Sequence, residues 1–369
     1  MNAVDVAVVG GGVVGAACAR AAALRGFRVA VFEPGPDPAA ATPASAGMLA
    51  AQIEPDDERE LALSVRARDL YEPRAAALRE TTGLDIGIWR AGIAVVAFDD
   101  QAVERLKTAV ARQRQAGLRC DWLAADEVRE RWPGIAPEAR GALFAPEDGA
   151  LDPQALARAA LADARRLGAT LRSERVTGVA TAGGRATGVI TATASVPAQH
   201  VVVAAGAWSA EIRGLPRPLP VEPVRGQMAA TSWPAETPPA ILYHGHGYVL
   251  ARGPDALLGS TMERAGFDAS VTSEGLAQIF RGAVRLLPAL ARQAVTRTWA
   301  GLRPVTPDGM PIVGRDPEVA GLWYATGHGR NGILLAGLTG EILADLLATG
   351  TTDMDAAAWR VERFDQPTG

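Results

Sequence analysis

The stretch that decides the fold is Val4-Asp5-Val6-Ala7-Val8-Val9-Gly10-Gly11-Gly12-Val13-Val14-Gly15. Val4–Val9 is a valine-rich run of the kind that makes a buried strand. Gly10-x-Gly12-x-x-Gly15 follows at once. Residues 13–25 read as an alanine-rich helix closed by Gly26, and residues 27–32 as a second strand ending at Glu33. Strand, tight turn, helix and strand within about 30 residues make a βαβ unit. Here glycine serves the turn, the close approach of a pyrophosphate, and helix–strand packing. The helix N-terminus offers N–H groups and a positive dipole end to phosphate. Glu33 lies about 20 residues past Gly10, the spacing of an acid that binds ribose hydroxyls and disfavours a 2′-phosphate. The fingerprint calls for a dinucleotide, with NAD and FAD both open at this point.

Composition narrows the class. The chain has 369 residues, 48% hydrophobic and 21% charged, too long for one small domain. A net charge of -4 gives no general basic surface, so nucleic acid is not an expected partner. Cys18 and Cys120 are too few for a disulfide framework and read as reduced structural thiols. His244 and His246 share one side of a strand but lack further ligands, so no metal site is expected. The start Met1-Asn2-Ala3-Val4-Asp5 lacks the basic region of a secretory signal. The longest stretch free of Lys, Arg, Asp and Glu, 186–210, contains Pro197, Gln199 and His200 and reads as two strands and a turn. A cytoplasmic protein without an integral membrane segment is expected. Lys107 is the single lysine and sits in a polar helical stretch, where a solvated side chain is expected.

Along the chain, residues 34–43 form a turn-rich loop and 58–81 one long amphipathic helix. Two short strands are expected around 86–88 and 93–96. Helices are expected at 101–115, at 125–132 before Pro133, and at 153–167 before Gly168. Strands follow near 170–171, 176–180, 186–191 and 200–204, then antiparallel strands over 219–233 and 241–258. A helix over 273–287 ends at Pro288. The last hundred residues contain a Gly-Leu-Arg-Pro turn at 301–304, a strand at 322–325 and a helix over 332–348.

Three further motifs carry chemistry. Thr42-Pro43-Ala44-Ser45-Ala46-Gly47-Met48-Leu49 has small residues that let backbone run close to a flat ligand, or is a plain loop. Val201-Val202-Val203-Ala204-Ala205-Gly206-Ala207-Trp208 is a buried strand ending in small residues, at a cofactor or simply in the core. Near the C-terminus, Trp299-Ala300-Gly301-Leu302-Arg303-Pro304-x-Thr306-Pro307-Asp308-Gly309 precedes Gly327-His328-Gly329-Arg330-Asn331-Gly332-Ile333-Leu334. The last of these is a glycine-rich strand-to-helix turn that aims a second helix N-terminus at something anionic. A reduced flavin, negative near N1, is such a group.

With these motifs the whole chain resembles the FAD-dependent D-amino-acid oxidase superfamily, and within it the glycine oxidases of thiamine biosynthesis. The resemblance selects FAD over NAD. It implies an α/β fold: a Rossmann-type FAD-binding domain (1–83, 145–217, 300–369) interleaved with an antiparallel-sheet substrate domain (84–144, 218–299). It implies cofactor contacts from Gly10, Gly12, Val13, Val14, Gly15, Glu33, Pro34, Ala41, Thr42, Ala46, Gly47, Met48, Val176, Ala205, Gly206 and Trp208, and from 328–334 (His328, Gly329, Arg330, Asn331, Gly332, Ile333 and Leu334). Arg303 is implied to hold a substrate carboxylate, with Arg330, Tyr248 and Met262 at the substrate. An arginine fork suits a carboxylate. The alternative for Arg303 is a structural ion-pair residue, with substrate binding favoured; read without the resemblance, Tyr248 is rather a core aromatic. No cysteine lies near Thr306-Pro307-Asp308, where some members attach flavin, so noncovalent FAD is expected.

The implied reaction oxidises the Cα–N bond of a small amino acid to an imine. Water hydrolyses the imine to a keto acid and ammonia or amine, and O2 is reduced to H2O2. The alternatives are a D-amino-acid dehydrogenase that uses a quinone or other acceptor, an oxidase of sarcosine or imino acids, and a nucleotide-binding protein that is no enzyme. Glycine, sarcosine, D-alanine and D-proline all suit as substrates. Ala50 and Ala51 leave room for more than glycine. A homo-oligomer is compatible with the sequence.

Overall fold

The computed structural model describes residues 4–37, 39–55, 57–245 and 247–365. His246 lies outside them. Two eight-stranded sheets organise the chain. The first has Val4–Val9 at its centre, flanked by Val29–Phe32 and Ser195–Val203, both parallel to it. Thr170–Arg172 extends one side, and Leu322–Thr326 with Ile312–Arg315 the other. Its central strands are buried on both faces, which is why they read as unbroken apolar runs rather than alternating ones. The helices Val13–Leu24, Pro153–Arg166 and Gly332–Thr349 pack on this sheet. Val13–Leu24 and Gly332–Thr349 approach closely. A Cβ at Gly340 would lie 2.7 Å from the Ala17 carbonyl oxygen.

Gly332–Thr349 is the one helix among the described residues long and apolar enough to cross a membrane, yet most of it is buried inside this layer. The charge-free stretch 186–210 forms Arg185–Thr191 and Ser195–Val203, two antiparallel strands joined by a turn as expected.

The second sheet is built from Val295–Val305, Glu222–Ser232, Asp255–Gly259, Gly247–Arg252, Ile241–His244, Ile93–Ala97, Gly141–Ala145 and Asp121–Ala124, in that order. All neighbours are antiparallel except Ile241–His244 beside Ile93–Ala97. The helix Ser273–Leu286 covers one face, with Ile279, Ala283 and Leu286 in a shared core.

Three expectations are corrected. The helix over 58–81 is two helices, Glu58–Asp69 and Tyr71–Thr82, which meet at Leu70. Residues 86–88 are not a strand: Gly87 has φ +61° and its N–H is taken by the Asp85 carboxylate in a local turn. The 301–304 segment is no turn. It is the end of strand Val295–Val305, with Arg303 opposite Val224. Glycine and proline there belong to an edge strand, where a missing N–H costs no ladder bond. Gly301 is needed because a Cβ would lie 2.3 Å from Ala44.

Candidate active site

A cavity of about 1130 Å³ lies between the two sheets, above the roughly 300–1,000 Å³ of ordinary ligand pockets. Its dinucleotide end is built by the opening βαβ unit. Gly10 turns the chain at φ +106°, and a Cβ there would lie 2.4 Å from the Ala204 carbonyl oxygen. A Cβ on Gly15 would lie 2.0 Å from the Gly10 oxygen, so that glycine serves helix–strand contact and does not line the cavity. The helix Val13–Leu24 begins with no acidic residue in its first turn, leaving its positive end uncompensated. Thr42 Oγ1 accepts the Val13 N–H at 3.0 Å. Glu33 Oε2 accepts the Gly11 N–H at 2.7 Å, which holds the carboxylate at the cavity wall. A narrow turn, an open helix start and an acid at the next strand end are the features an adenine dinucleotide requires. The site fits FAD on these grounds.

Gly10, Gly12, Val13, Val14, Glu33, Pro34, Ala41, Thr42, Ala46, Gly47, Met48, Val176, Ala205, Gly206 and Trp208 all line this one cavity, as do residues 328–333. Two expected contacts besides Gly15 do not. Leu334 turns into the helix-layer core, a helical step away from the lining Ile333. Met262 is 47% exposed and outside the cavity. The reason is local. Thr261 turns inward, its hydroxyl accepting the Gln227 N–H and its carbonyl accepting Arg303 Nη1, so the next side chain faces solvent.

The loop of small residues at 42–49 is held from outside the dinucleotide unit. Trp299 Nε1 donates to the Ala44 oxygen at 2.9 Å, and Arg252 Nη2 donates to the oxygens of Ala46 at 2.6 Å and Leu151 at 2.8 Å. Arg252 carried no recognisable motif in the sequence, and the motif that Trp299 opens gave no sign of this partner. The 327–332 turn is stapled to the edge strand by Gly329 N–H to the Pro304 oxygen at 2.8 Å. That bond brings Arg330 and Arg303 to one cavity. His328 is buried against Thr339, and burial pushes its imidazole down to about 3, so it is neutral.

Arg303 has an unusual position. Its guanidinium donates to the Thr261 carbonyl at 3.0 Å and the Ser260 hydroxyl at 2.8 Å, both neutral oxygens. Burial lowers its pKa from the ordinary value, yet an arginine keeps its charge. Gly226 makes the space: a Cβ there would lie 2.0 Å from Arg303 Nη1. Gly226→Ala is therefore expected to displace the guanidinium and raise KM for substrate about tenfold, about 1.4 kcal/mol, while FAD stays bound. Steady-state kinetics alongside flavin absorbance checks this, and an unaltered KM would contradict it.

Tyr248 lines the cavity beside this group, buried, with its phenol raised to about 12 by burial. It is a neutral hydrogen-bond donor. Arg330 lines the cavity too, but its Nη2 is bound to Glu54 Oε1 at 2.8 Å. Glu54 is a cavity residue that the sequence reading missed.

The segment that carries Glu54 is braced from behind. Gln52 N–H donates to Asp148 Oδ2 at 2.9 Å, and Arg68 Nη1 reaches Gln52 Oε1 at 2.6 Å and Asp148 Oδ1 at 3.1 Å. Burial lifts the Asp148 carboxyl to about 7, against the pull of Arg68. That lies above its value in an unfolded chain. Between about pH 4 and pH 7 the native protein therefore holds a proton that the unfolded chain releases, so stability falls as pH rises through this window and levels off above it. Asp148→Asn is expected to remove that fall. Thermal melts across the window test this, and parallel curves for the two proteins would refute it.

Comparison with known proteins agrees with this arrangement. Residues 5–346 match the family described as DAO, FAD dependent oxidoreductase. The chain is 35% identical over 364 residues to a glycine oxidase of Geobacillus kaustophilus, covering 97% of each. It is 35% identical to the bifunctional protein ThiO/ThiG of Trichormus variabilis, of which it spans 55%. The crystal structure of glycine oxidase from Geobacillus kaustophilus superposes with a TM-score of 0.91, at 34% identity, over 98% of this chain and 99% of that one. The full-length family match and these relatives establish that the chain belongs to the DAO family of FAD-dependent oxidoreductases.

Proposed function

We propose that this FAD-dependent amine-oxidising enzyme acts on the Cα–N bond of glycine or another small amino acid, with O2 as the acceptor. The observation that carries the reading is Arg303, a cation on the cavity wall whose bonds among the described residues go to neutral oxygens. A carboxylate is the partner it lacks, and a guanidinium fork orients one in two directions at once. The Tyr248 hydroxyl, which donates to Met228 Sδ at 3.1 Å in this structure, turns to donate a further hydrogen bond to the same group, which fixes the Cα–H direction. Bound FAD supplies the two-electron acceptor. The imine product leaves the site and is hydrolysed by water to a keto acid and ammonia, or to the corresponding amine. A low-dielectric wall of Ala46, Ala50, Met48 and Met228 disfavours the ammonium form of the substrate, and so favours the neutral amine that the oxidation needs.

The test is anaerobic mixing of the FAD-loaded protein with glycine, sarcosine, D-alanine and D-proline, followed by air. Loss of the oxidised-flavin absorbance with at least one amino acid, and its return with oxygen, is expected. A flavin left unbleached by all of them would overturn the reading. One bleached but restored only by a quinone would make the protein a dehydrogenase.

A further inference from the structure

Arg303 shares the cavity with a second guanidinium. Arg330 is 28% exposed and its ion-pair partner among the described residues is Glu54, itself 16% exposed and on the same wall. Glu54 Oε1 also receives the Tyr243 hydroxyl at 3.4 Å, and Tyr243 pairs across the strands with Tyr248. The cavity lining thus carries Arg303, Arg330 and the Glu54 carboxylate, which is paired with Arg330. That carboxylate is spent on Arg330, so one cation is available and the other is masked.

We propose that Glu54 is a specificity-determining residue that keeps the pocket to substrates with one carboxylate. The proposal rests on reading Arg303 as the clamp for that carboxylate. A ligand with a second carboxylate, seated by the first on Arg303, finds Arg330 already neutralised. Its free end meets the Glu54 charge in a site where salt screens little. Repulsion of an unwanted partner is as effective a route to selectivity as attraction of the right one. The backbone just before the mask is anchored. Gln52, two residues before Glu54, exchanges hydrogen bonds with Gln113 at 2.8 and 2.7 Å and is tied to Arg68 and Asp148. Glutamine in place of Glu54 keeps the shape, removes the charge and leaves the Arg330 fork free for a second carboxylate.

Binding of two acids that cannot be oxidised at nitrogen isolates this effect from turnover. Methoxyacetate carries one carboxylate and diglycolate carries two. Their Kd values are read from perturbation of the bound flavin spectrum, which also reports that each variant is folded and loaded. The ratio of the methoxyacetate Kd to the diglycolate Kd is expected to rise at least about tenfold in Glu54→Gln and to fall back in Glu54→Gln/Arg330→Gln. A smaller rise, or one that survives loss of Arg330, overturns the proposal. Amino acids that bleach the flavin while the ratio stays fixed would sink the filter and leave the oxidation standing. A shifted ratio with no amino acid oxidised would do the reverse.

Discussion

Arg303→Leu is expected to yield a yellow, FAD-loaded protein that no longer grips its substrate. Among the described residues the guanidinium donates to neutral oxygens and forms no ion pair, so its removal breaks none there. What disappears is the bond to the substrate carboxylate. Hydrogen bonds to charged groups contribute roughly 1.5–3 kcal/mol each, and a bidentate pair is lost here. A fall of about a hundredfold in kcat/KM follows, about 3 kcal/mol at the transition state. Most of it should appear in KM, with a smaller loss in kcat because Cα–H is no longer aimed. Flavin absorbance of the purified variant separates this from misfolding. A kcat/KM within fivefold of the parent would remove Arg303 from the site.

Gly10→Ala should act at the other end of the cavity, with the opposite signature. The glycine has φ +106°, where an L side chain is strained by about 1–3 kcal/mol. The added Cβ would also meet backbone, the Ala204 oxygen at 2.4 Å, with no flexible side chain to move away. The turn must open, and with it the approach of pyrophosphate to the start of Val13–Leu24. The expected product is largely colourless protein, with FAD content below about a tenth of the parent and a lower Tm. Full FAD stoichiometry would show that this turn is not the cradle. Together the two variants separate substrate capture from cofactor capture.

The dinucleotide half of the site was legible because its information is local. Gly10, Gly12, Gly15 and Glu33 lie within one βαβ unit, and each has a reason that holds without knowledge of the rest of the chain. The helices over 153–167 and 273–287 were readable for the same reason, from the start and stop signals next to them. The substrate half was harder. Arg303 does line the cavity, but Gly301 and Pro304 disguised its strand as a turn, since punctuation by glycine and proline does not say whether the strand lies at an edge. Glu54 had no local signal at all. Its partner lies 276 residues away, and a single acid in an aperiodic loop gives no pattern to read. Arg252 was silent too, and the motif that Trp299 opens did not reveal its partner, because both side chains hold carbonyls of a loop distant in sequence. Met262 failed because residues past Gly259 stop following the alternation of the strand.

The edge strand Val295–Val305 has a consequence beyond the site itself. It belongs to the second sheet, yet Leu302 N–H bonds to the Ala39 oxygen and the Pro304 oxygen receives Gly329 N–H, so its far end is fastened into the nucleotide layer. The chain therefore spans the gap as a strut, with Arg303 fixed partway along it. A hinge that parted the layers would have to break these ties, so Arg303 is held at a set distance from the nucleotide layer by these hydrogen bonds. If Arg303 holds the substrate as proposed, changes in substrate scope are expected at other lining residues such as Ala50, Glu54 and Tyr248, while the strut stays constant.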